Sequence, residues 1–464
     1  MSDRPSSSIR PSSGRLRWLI RIYGFAWILG FPLVLGYFLW RSVNDRRYRF
    51  HLSERFGIGK PFPNAIWIHG ASLGEIRSAA SLVTGLIGRG HRVLITCLTP
   101  AARQEALRLF GENMRQDRMT IRYLPLEFRF ALRRFLEVNR PKLLLILEFD
   151  IWPVMIESAL GFGVPTYLCN AQITARNIER HRRSRSGLGF AAARLDLLER
   201  LDGAFVKSAT HAERFRSLGL AKVHVTGELR FDQPVPKAMT SAATRLSGEQ
   251  GLGLPTRPVI TLASVVKGED QLYGEMMTRV RAACTAAGRP MPLFVHVPRQ
   301  PEHFDRAAAI LTSMDRRVAL RSKVLGAALD VRPEFDFAGV DVLIGDSLGE
   351  MAFYIELADL VIVGGGFLPS GAHNVIEPLA RKKPVLVGPQ TWTIEFPAKE
   401  AVVEGVLIRV GSVTELTDAV LSLLGSPAAL ARIGERAAAF HATHTGSTVR
   451  TLDAIGAAEP AAAA

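Results

Sequence analysis

The chain has 464 residues and a formal charge of +15 at pH 7, with 48% hydrophobic residues. That length calls for two domains, and that composition excludes a disordered chain. The positive charge asks for an anionic partner; with no nucleic-acid recognition motif present, a membrane surface or a phosphorylated substrate fits better than nucleic acid.

Read in chain order, the first element is the uncharged run Ile22–Trp40, long enough as a helix to cross a hydrocarbon core. Trp18, Tyr23, Tyr37 and Trp40 lie toward its ends, as interfacial aromatics do. No small-residue cleavage site follows, so a retained N-terminal anchor is expected rather than a signal peptide. Pro32 and the glycines leave a shallow or re-entrant insertion open. Arginines flank both ends (Arg10, Arg15, Arg17 and Arg21; Arg41, Arg46, Arg47 and Arg49), so charge does not orient the segment. Cys97, Cys169 and Cys284 have no metal-like spacing and sit in apolar runs. They read as reduced core thiols, which favours a cytoplasmic body.

Beyond the anchor, short β-rich runs alternate with helical periods. The first set is Ala65–His69, Val93–Cys97, Leu143–Leu147, Thr166–Cys169, Ala204–Lys207 and Val223–Thr226. Pro234–Pro258 interrupts with Pro, Ser, Gly and Thr and reads as a linker. The second set is Val259–Ala263, Leu293–Val297, Val342–Ile344, Leu360–Val363, Val385–Val387 and Val406–Ile408. This is βαβ alternation, predicting two Rossmann-like domains that face each other across a cleft, with ligands beyond the carboxyl ends of the strands. The expected boundaries are a basic N-terminus and anchor (1–45), a first domain (46–233), a linker (234–257), a second domain (258–455) and a frayed alanine-rich tail (456–464).

The residues that could carry chemistry fall at strand ends. Ser72 and Glu75, after the first strand, have capping-box spacing. Glu75 equally suits a general base, with Gly74 leaving room for an acceptor. Glu148 and Asp150 precede Trp152-Pro153 and read as sugar ligands or as helix-cap charges. Phe128–Phe135 interleaves arginines with aromatics and, with Arg176, Arg180, Arg182, Arg183 and Arg185, is either a solvated face or a dock for anionic lipid. In the second half, Ser264 ends a strand and could offer hydroxyl and backbone donors. Arg299 either grips a phosphate by its fork or pairs with Glu302 at the surface. Gly349 and Glu350 sit in another strand-end loop, as nucleotide contacts or as a cap. The segment Val361–Pro378 runs from an apolar strand through Gly364, Gly365, Gly366 and Gly371 to His373, Asn374 and Glu377. Glycines there let backbone N–H groups approach a phosphate, and a glutamate one turn into a helix suits sugar hydroxyls. The layout suggests a nucleotide-sugar site; packing glycines would look the same.

Together these motifs resemble the 3-deoxy-D-manno-octulosonic acid (Kdo) transferase family, from about Arg46 to Ile455. The likeness rests on W-I-H-G-A-S-L-G-E (67–75), Y-L-P-L-E-F-R-F-A-L-R-R-F-L (123–136), V-T-G-E-L-R-F-D (225–232), V-P-R-Q-P-E-H-F (297–304), G-D-S-L-G-E-M (345–351) and the 364–378 loop. The resemblance implies a GT-B glycosyltransferase fold and an anchor on the cytoplasmic face of the inner membrane. It also implies metal-independent, inverting transfer of Kdo from CMP-Kdo, a co-substrate rather than a cofactor, to an anionic lipid A precursor. It makes Glu75 the base, puts Ser72, Gly74, Glu148 and Asn170 on the acceptor side, and gives Glu377 the ribose. The donor phosphate falls to the Gly364–Gly366 and Gly371–Asn374 turns, with Ser264, Arg299, Gly349 and Glu350 beside it. The chain departs from the family pattern at Gln172, Val265, Val266, Glu228, Arg230, Gln300, His303 and Asp150. Two other readings therefore stand: a paralogue moving Kdo or a related ulosonic acid to another acceptor, and a membrane-tethered binding protein without turnover.

Overall fold

The computed structural model describes residues 13–184, 195–247, 257–332, 335–337 and 339–458. The chain forms two compact units, Met1–Gln233 with Gly446–Ala464, and Pro234–Thr445. In the first, a seven-stranded parallel sheet contains β1 (Ile66–His69), β2 (Val93–Cys97), β3 (Met119–Tyr123), β4 (Leu143–Leu147), β5 (Thr166–Ala171), β6 (Gly203–Val206) and β7 (Val223–Val225), in the order β3-β2-β1-β4-β5-β6-β7. β1, β2, β4 and β5 are buried along their whole length. That is why they appear in sequence as largely apolar runs, with His69, Thr96, Thr166 and Asn170 as the exceptions: helices cover both faces of the sheet.

The second unit repeats the plan with β8 (Val259–Val265), β9 (Leu293–Pro298), β10 (Val318–Leu320), β11 (Val342–Ile344), β12 (Leu360–Val363), β13 (Val385–Val387) and β14 (Leu407–Arg409), ordered β10-β11-β9-β8-β12-β13-β14. Strand order reverses beside β1 in the first sheet and beside β8 in the second, the positions where such sheets take ligands. β3 and β10 are the two strands missing from the sequence reading. Both are edge strands with one neighbour each, so neither needs a full apolar run, and β3 carries Arg122.

Two expected boundaries are corrected. Part of the anticipated linker is the helix Lys237–Ser247, whose Ala242, Ala243 and Leu246 pack with Val259 and Leu293 in the second core. Residues 248–256 of that segment lie outside the described residues. The end of the anticipated second domain returns to the first unit. Its helix Ser447–Ala458 sends Leu452 and Ile455 into the β1–β2 core. Asp232 receives the Gly446 N–H at 2.7 Å and the Thr448 N–H as well, and the Arg450 Nε–H donates to the Thr226 carbonyl at 3.0 Å.

The apolar N-terminal run is one helix, Gly14–Asn44, begun by the Ser13 side chain and continuing through Pro32. It packs on the first unit along most of its length. Leu16, Leu19 and Ile20 join that unit's core, with Tyr23 against it. Trp27, Phe31 and Phe38 pack with Leu126, Phe128, Ala131 and Phe56, and Phe31 meets the rings of Phe56 and Phe128 edge-on. The opposite face is bare: Trp18, Phe25, Leu29, Leu33, Trp40 and Val43 are each at least 60% exposed.

Candidate functional site

In the first unit the strand ends bring the expected acceptor-side residues into one network. Ser72 ends the loop after β1 and caps the helix Leu73–Ser78, its Oγ accepting the Glu75 N–H. The Glu75 carboxylate reaches back to accept the Ala71 N–H at 2.7 Å and the Ser72 hydroxyl at 2.8 Å. The Ser72 cap is therefore real, but the reciprocal bond goes to the Ala71 N–H one residue before the cap instead of the Ser72 N–H of a full capping box. It does not exclude a proton-transfer role, because burial raises the Glu75 proton affinity, and the charges of Asp150 and Glu148 raise it further. The Ser72 and Ala71 hydrogen bonds pull the other way. Gly74 has open space where a side chain would stand, with only the Ser72 Oγ nearby at 3.9 Å.

His69, the last residue of β1, is fully buried. Its Nδ1 lies 3.0 Å from Thr96 Oγ1, while its Nε2 faces Asp150 Oδ2 at 3.5 Å without a hydrogen-bond partner among the described residues. Glu148 follows β4 and Asn170 lies near the end of β5; both adopt left-handed backbone, at φ 59° and 54°. The Asn170 amide donates to Glu148 at 3.1 Å and to Glu228 at 2.9 Å, and its oxygen accepts the Leu229 N–H. Sequence reading missed the centre of this network. Lys207, one residue past β6, is fully buried and pairs with Glu148 at 2.8 Å and Glu228 at 2.7 Å. The available signal was a lysine directly after an apolar strand, where a cation is buried only with partners. Burial raises the Glu228 proton affinity, but Lys207 and Arg230 outweigh it and bring the carboxyl down to about 2.

In the second unit Ser264 sits in a bulge of β8 at φ 60°. A Cβ on Gly364 would fall 2.6 Å from the Ser264 carbonyl, and one on Gly365 would fall 2.3 Å from the Gly371 carbonyl. These glycines are required by backbone packing, whatever they bind. The expected phosphate cradle needs correction for the same loop. The buried Glu269 carboxylate already accepts the Gly365 N–H at 2.7 Å, the Phe367 N–H at 3.3 Å and the Val266 N–H at 3.2 Å. An anion cannot use the Gly365 N–H while Glu269 holds it.

Arg299, expected at the donor, lies with its Nη1 against the His373 ring, in contact with Nδ1 and 2.6 Å from Nε2. Burial, aided by the Arg299 charge, brings His373 down to about 4, so at neutral pH the ring is uncharged and can accept from the guanidinium. The Asn374 amide donates to Glu377 at 2.9 Å, and its oxygen takes the Ile376 N–H, opening the helix Ile376–Ala380. Glu350 stands apart: Arg321 holds both of its oxygens at 2.7 Å and Ser347 donates at 2.5 Å. That pairing makes Glu350 an ion-pair partner rather than a side-chain cap, since the helix Met351–Leu357 that follows has no side-chain cap bond among the described residues. Among the described residues no group of three or more His, Cys, Asp or Glu side chains is arranged to hold a metal. In the Phe128–Phe135 set, Phe130 is 61% exposed and Arg129, Arg133 and Arg134 are exposed, while Phe128 is buried. Arg176 is exposed; Arg185 and the side chains of Arg180, Arg182 and Arg183 lie outside the described residues.

Residues 50–233 match the family model for 3-deoxy-D-manno-octulosonic-acid transferase (kdotransferase). A 3-deoxy-D-manno-octulosonic acid transferase from Bordetella pertussis is 37% identical over 403 residues, covering 86% of this chain and 89% of that protein. The enzyme of the same description from Haemophilus influenzae is 29% identical, covering 91% and 95%. A solved glycosyltransferase from Rickettsia africae, 11% identical, shares the fold with a TM-score of 0.54 over 85% of this chain and 97% of that one. The fold class is that of the GT-B glycosyltransferases.

Proposed function

The chain belongs to the 3-deoxy-D-manno-octulosonic acid transferase family, and on that premise we propose that it moves Kdo from CMP-Kdo to a lipid A precursor with inversion, using Glu75 as general base. The observation that carries this reading is the Glu75 carboxylate at the carboxyl end of β1, oriented by the Ala71 N–H and the Ser72 hydroxyl and raised in proton affinity by burial. A base nearer neutral pH is better matched to taking a hydroxyl proton. The acceptor oxygen attacks the anomeric carbon of Kdo as its proton passes to Glu75. The bond from that carbon to the phosphate oxygen breaks, and CMP leaves with the electron pair.

The donor already carries a good leaving group, so positioning and charge stabilisation suffice. With the Gly365 N–H taken by Glu269, the phosphate falls to the Arg299 guanidinium, which the neutral His373 ring orients, and to Ser264. Glu377, steadied by Asn374, suits the ribose hydroxyls.

The N-terminal helix fits a membrane attachment that lies in the bilayer surface rather than crossing it. One face is committed to the first unit from Leu16 to Phe38. A span would drag that folded surface into hydrocarbon, whereas an in-plane helix buries only the bare stripe from Trp18 to Val43. Exposed Phe130 with Arg129, Arg133 and Arg134 extends the same chemistry toward anionic lipid. The reduced thiols favour the cytoplasmic face: all three cysteines are free and buried, and burial pushes Cys97 and Cys169 up to about 12.

The test is CMP release by the detergent-solubilised full chain given CMP-Kdo and tetra-acylated lipid A precursor, with mass spectrometry of the glycolipid. Glu75→Gln keeps an oxygen for the cap, so unfolding and CMP affinity should hold while turnover falls by about 10²–10⁴-fold. Turnover within a few-fold of the unmodified enzyme would remove Glu75 as base. No CMP release with any of a panel of acceptors would favour the binding-protein reading.

A further inference from the structure

We propose that Lys207 and Glu228 are positioning residues which, with Asn170, hold Glu148 so that its free oxygen receives a hydroxyl of the acceptor sugar. The proposal rests on the placement of Glu148 on the acceptor side.

Four observations support it. Glu148 Oε1 is fully engaged, taking Lys207 at 2.8 Å and Asn170 at 3.1 Å, while Oε2 is buried and has no partner among the described residues. A carboxylate oxygen left without a donor has unused capacity to accept a ligand hydroxyl. Second, the backbone at Glu148 and Asn170 is left-handed at adjoining strand ends, in a conformation that non-glycine residues keep only when their surroundings enforce it. Third, the enforcing shell is itself buried and fully bonded. Lys207 spans Glu148 and Glu228, and Asn170 ties both carboxylates to the Leu229 N–H, so the ends of β4, β5 and β6 and the turn after β7 lock together. Fourth, the fully buried His69 sends its unpartnered Nε2 toward Asp150, two residues beyond Glu148. Two orphaned polar atoms at the ends of neighbouring strands β1 and β4 thus sit beside the Glu75 box.

The charges facing Glu148 are Lys207 and, on Glu75's own account, the Glu75 carboxylate. Glu228 faces Lys207 and Arg230. Lys207 sits between the two carboxylates and pairs with both, which fixes Glu148 Oε1 and leaves Oε2 as its unused acceptor. Such a shell acts on substrate affinity through geometry, without touching substrate itself.

The experiment is steady-state kinetics of the full chain with CMP-Kdo and tetra-acylated lipid A precursor, with thermal unfolding alongside. Glu148→Gln tests the parent reading, and the expected result is an acceptor KM raised about 10-fold or more with donor KM unchanged. The pair variant K207M/E228Q removes the shell and, by losing one cation and one carboxylate together, keeps the local net charge. It should unfold within a few degrees of the unmodified enzyme while acceptor KM rises about 10-fold and donor KM stays within twofold. Should that pair fail to fold, Asn170→Gly keeps the left-handed backbone, deletes the amide bridge and should show the same split. If Glu148→Gln raises acceptor KM but the folded shell variants leave it within twofold, the positioning role is overturned and the parent reading survives. If Glu148→Gln itself leaves acceptor KM unchanged, Glu148 is not a substrate ligand and both fall.

Discussion

Removing the Glu269 carboxylate should loosen the glycine loop it now occupies. Three backbone N–H groups converge on it, from Gly365, Phe367 and Val266, and the Gly365 bond is wholly buried. In Glu269→Ala the buried Gly365 donor would lose its partner at a cost of about 1–3 kcal/mol, and the two partly exposed donors would lose about 0.5–1.5 kcal/mol each as water replaces the carboxylate. Burial disfavours the ionised carboxylate, as its raised proton affinity shows, and relief of that penalty offsets part of the loss. The net is about 3 kcal/mol, or roughly 6–12 °C for a unit of this size. Glu269→Gln retains one acceptor oxygen but turns an amide donor toward the loop, so about half that loss is expected. Thermal unfolding gives the magnitude, and hydrogen exchange read by mass spectrometry over residues 361–375 gives the location. The Ala variant should exchange faster there by 10-fold or more, and CMP should restore part of the protection if an anion can take the vacated N–H groups. Unchanged exchange over that segment, with unfolding within 2 °C, would refute Glu269 as the organiser of the loop.

The remaining predictions follow from single contacts. Glu127 is buried and accepts the Val154 and Met155 N–H groups at 2.8 and 2.9 Å. Burial pushes its carboxyl up to about 7, against the pull of those donors and of the Tyr23 hydroxyl. A raised carboxyl takes up a proton on folding, so its contribution is full below the ordinary value of 4.5 and is lost as pH rises through about 7. The swing is at most about 3 kcal/mol. Urea midpoints measured from pH 4.5 to 8 should show this fall and Glu127→Gln should flatten it; an unchanged slope would remove Glu127 as its source. Gly365→Ala combines a φ of 87° with a Cβ 2.3 Å from the Gly371 carbonyl. It should cost about 2–4 kcal/mol and weaken CMP binding, which calorimetry and thermal unfolding would detect; an unperturbed Tm would mean that the loop relaxes freely.

The two parallel sheets were legible along the chain because strands buried on both faces must be largely apolar, as β1, β2, β4, β9 and β12 are, with His69, Thr96 and His296 the only interruptions. The sequence by itself also determined the Ser72–Glu75 cap, since a capping contact joins residues three apart and is written in their spacing. Edge strands β3 and β10 escaped because an edge needs less apolar surface. The tertiary structure alone decided where the chain re-enters the first unit at Gly446, because that contact joins Asp232 to residues more than two hundred positions away. It alone decided that Glu269 fills the glycine loop, and that Glu350 belongs to Arg321. It also decided that Lys207 and Glu228 meet under Glu148, each from a different strand end. Spacing along the chain records neighbours within a turn or a strand. Partners drawn from separate strands become neighbours only when the sheet forms, and most of this candidate site is built from such partners.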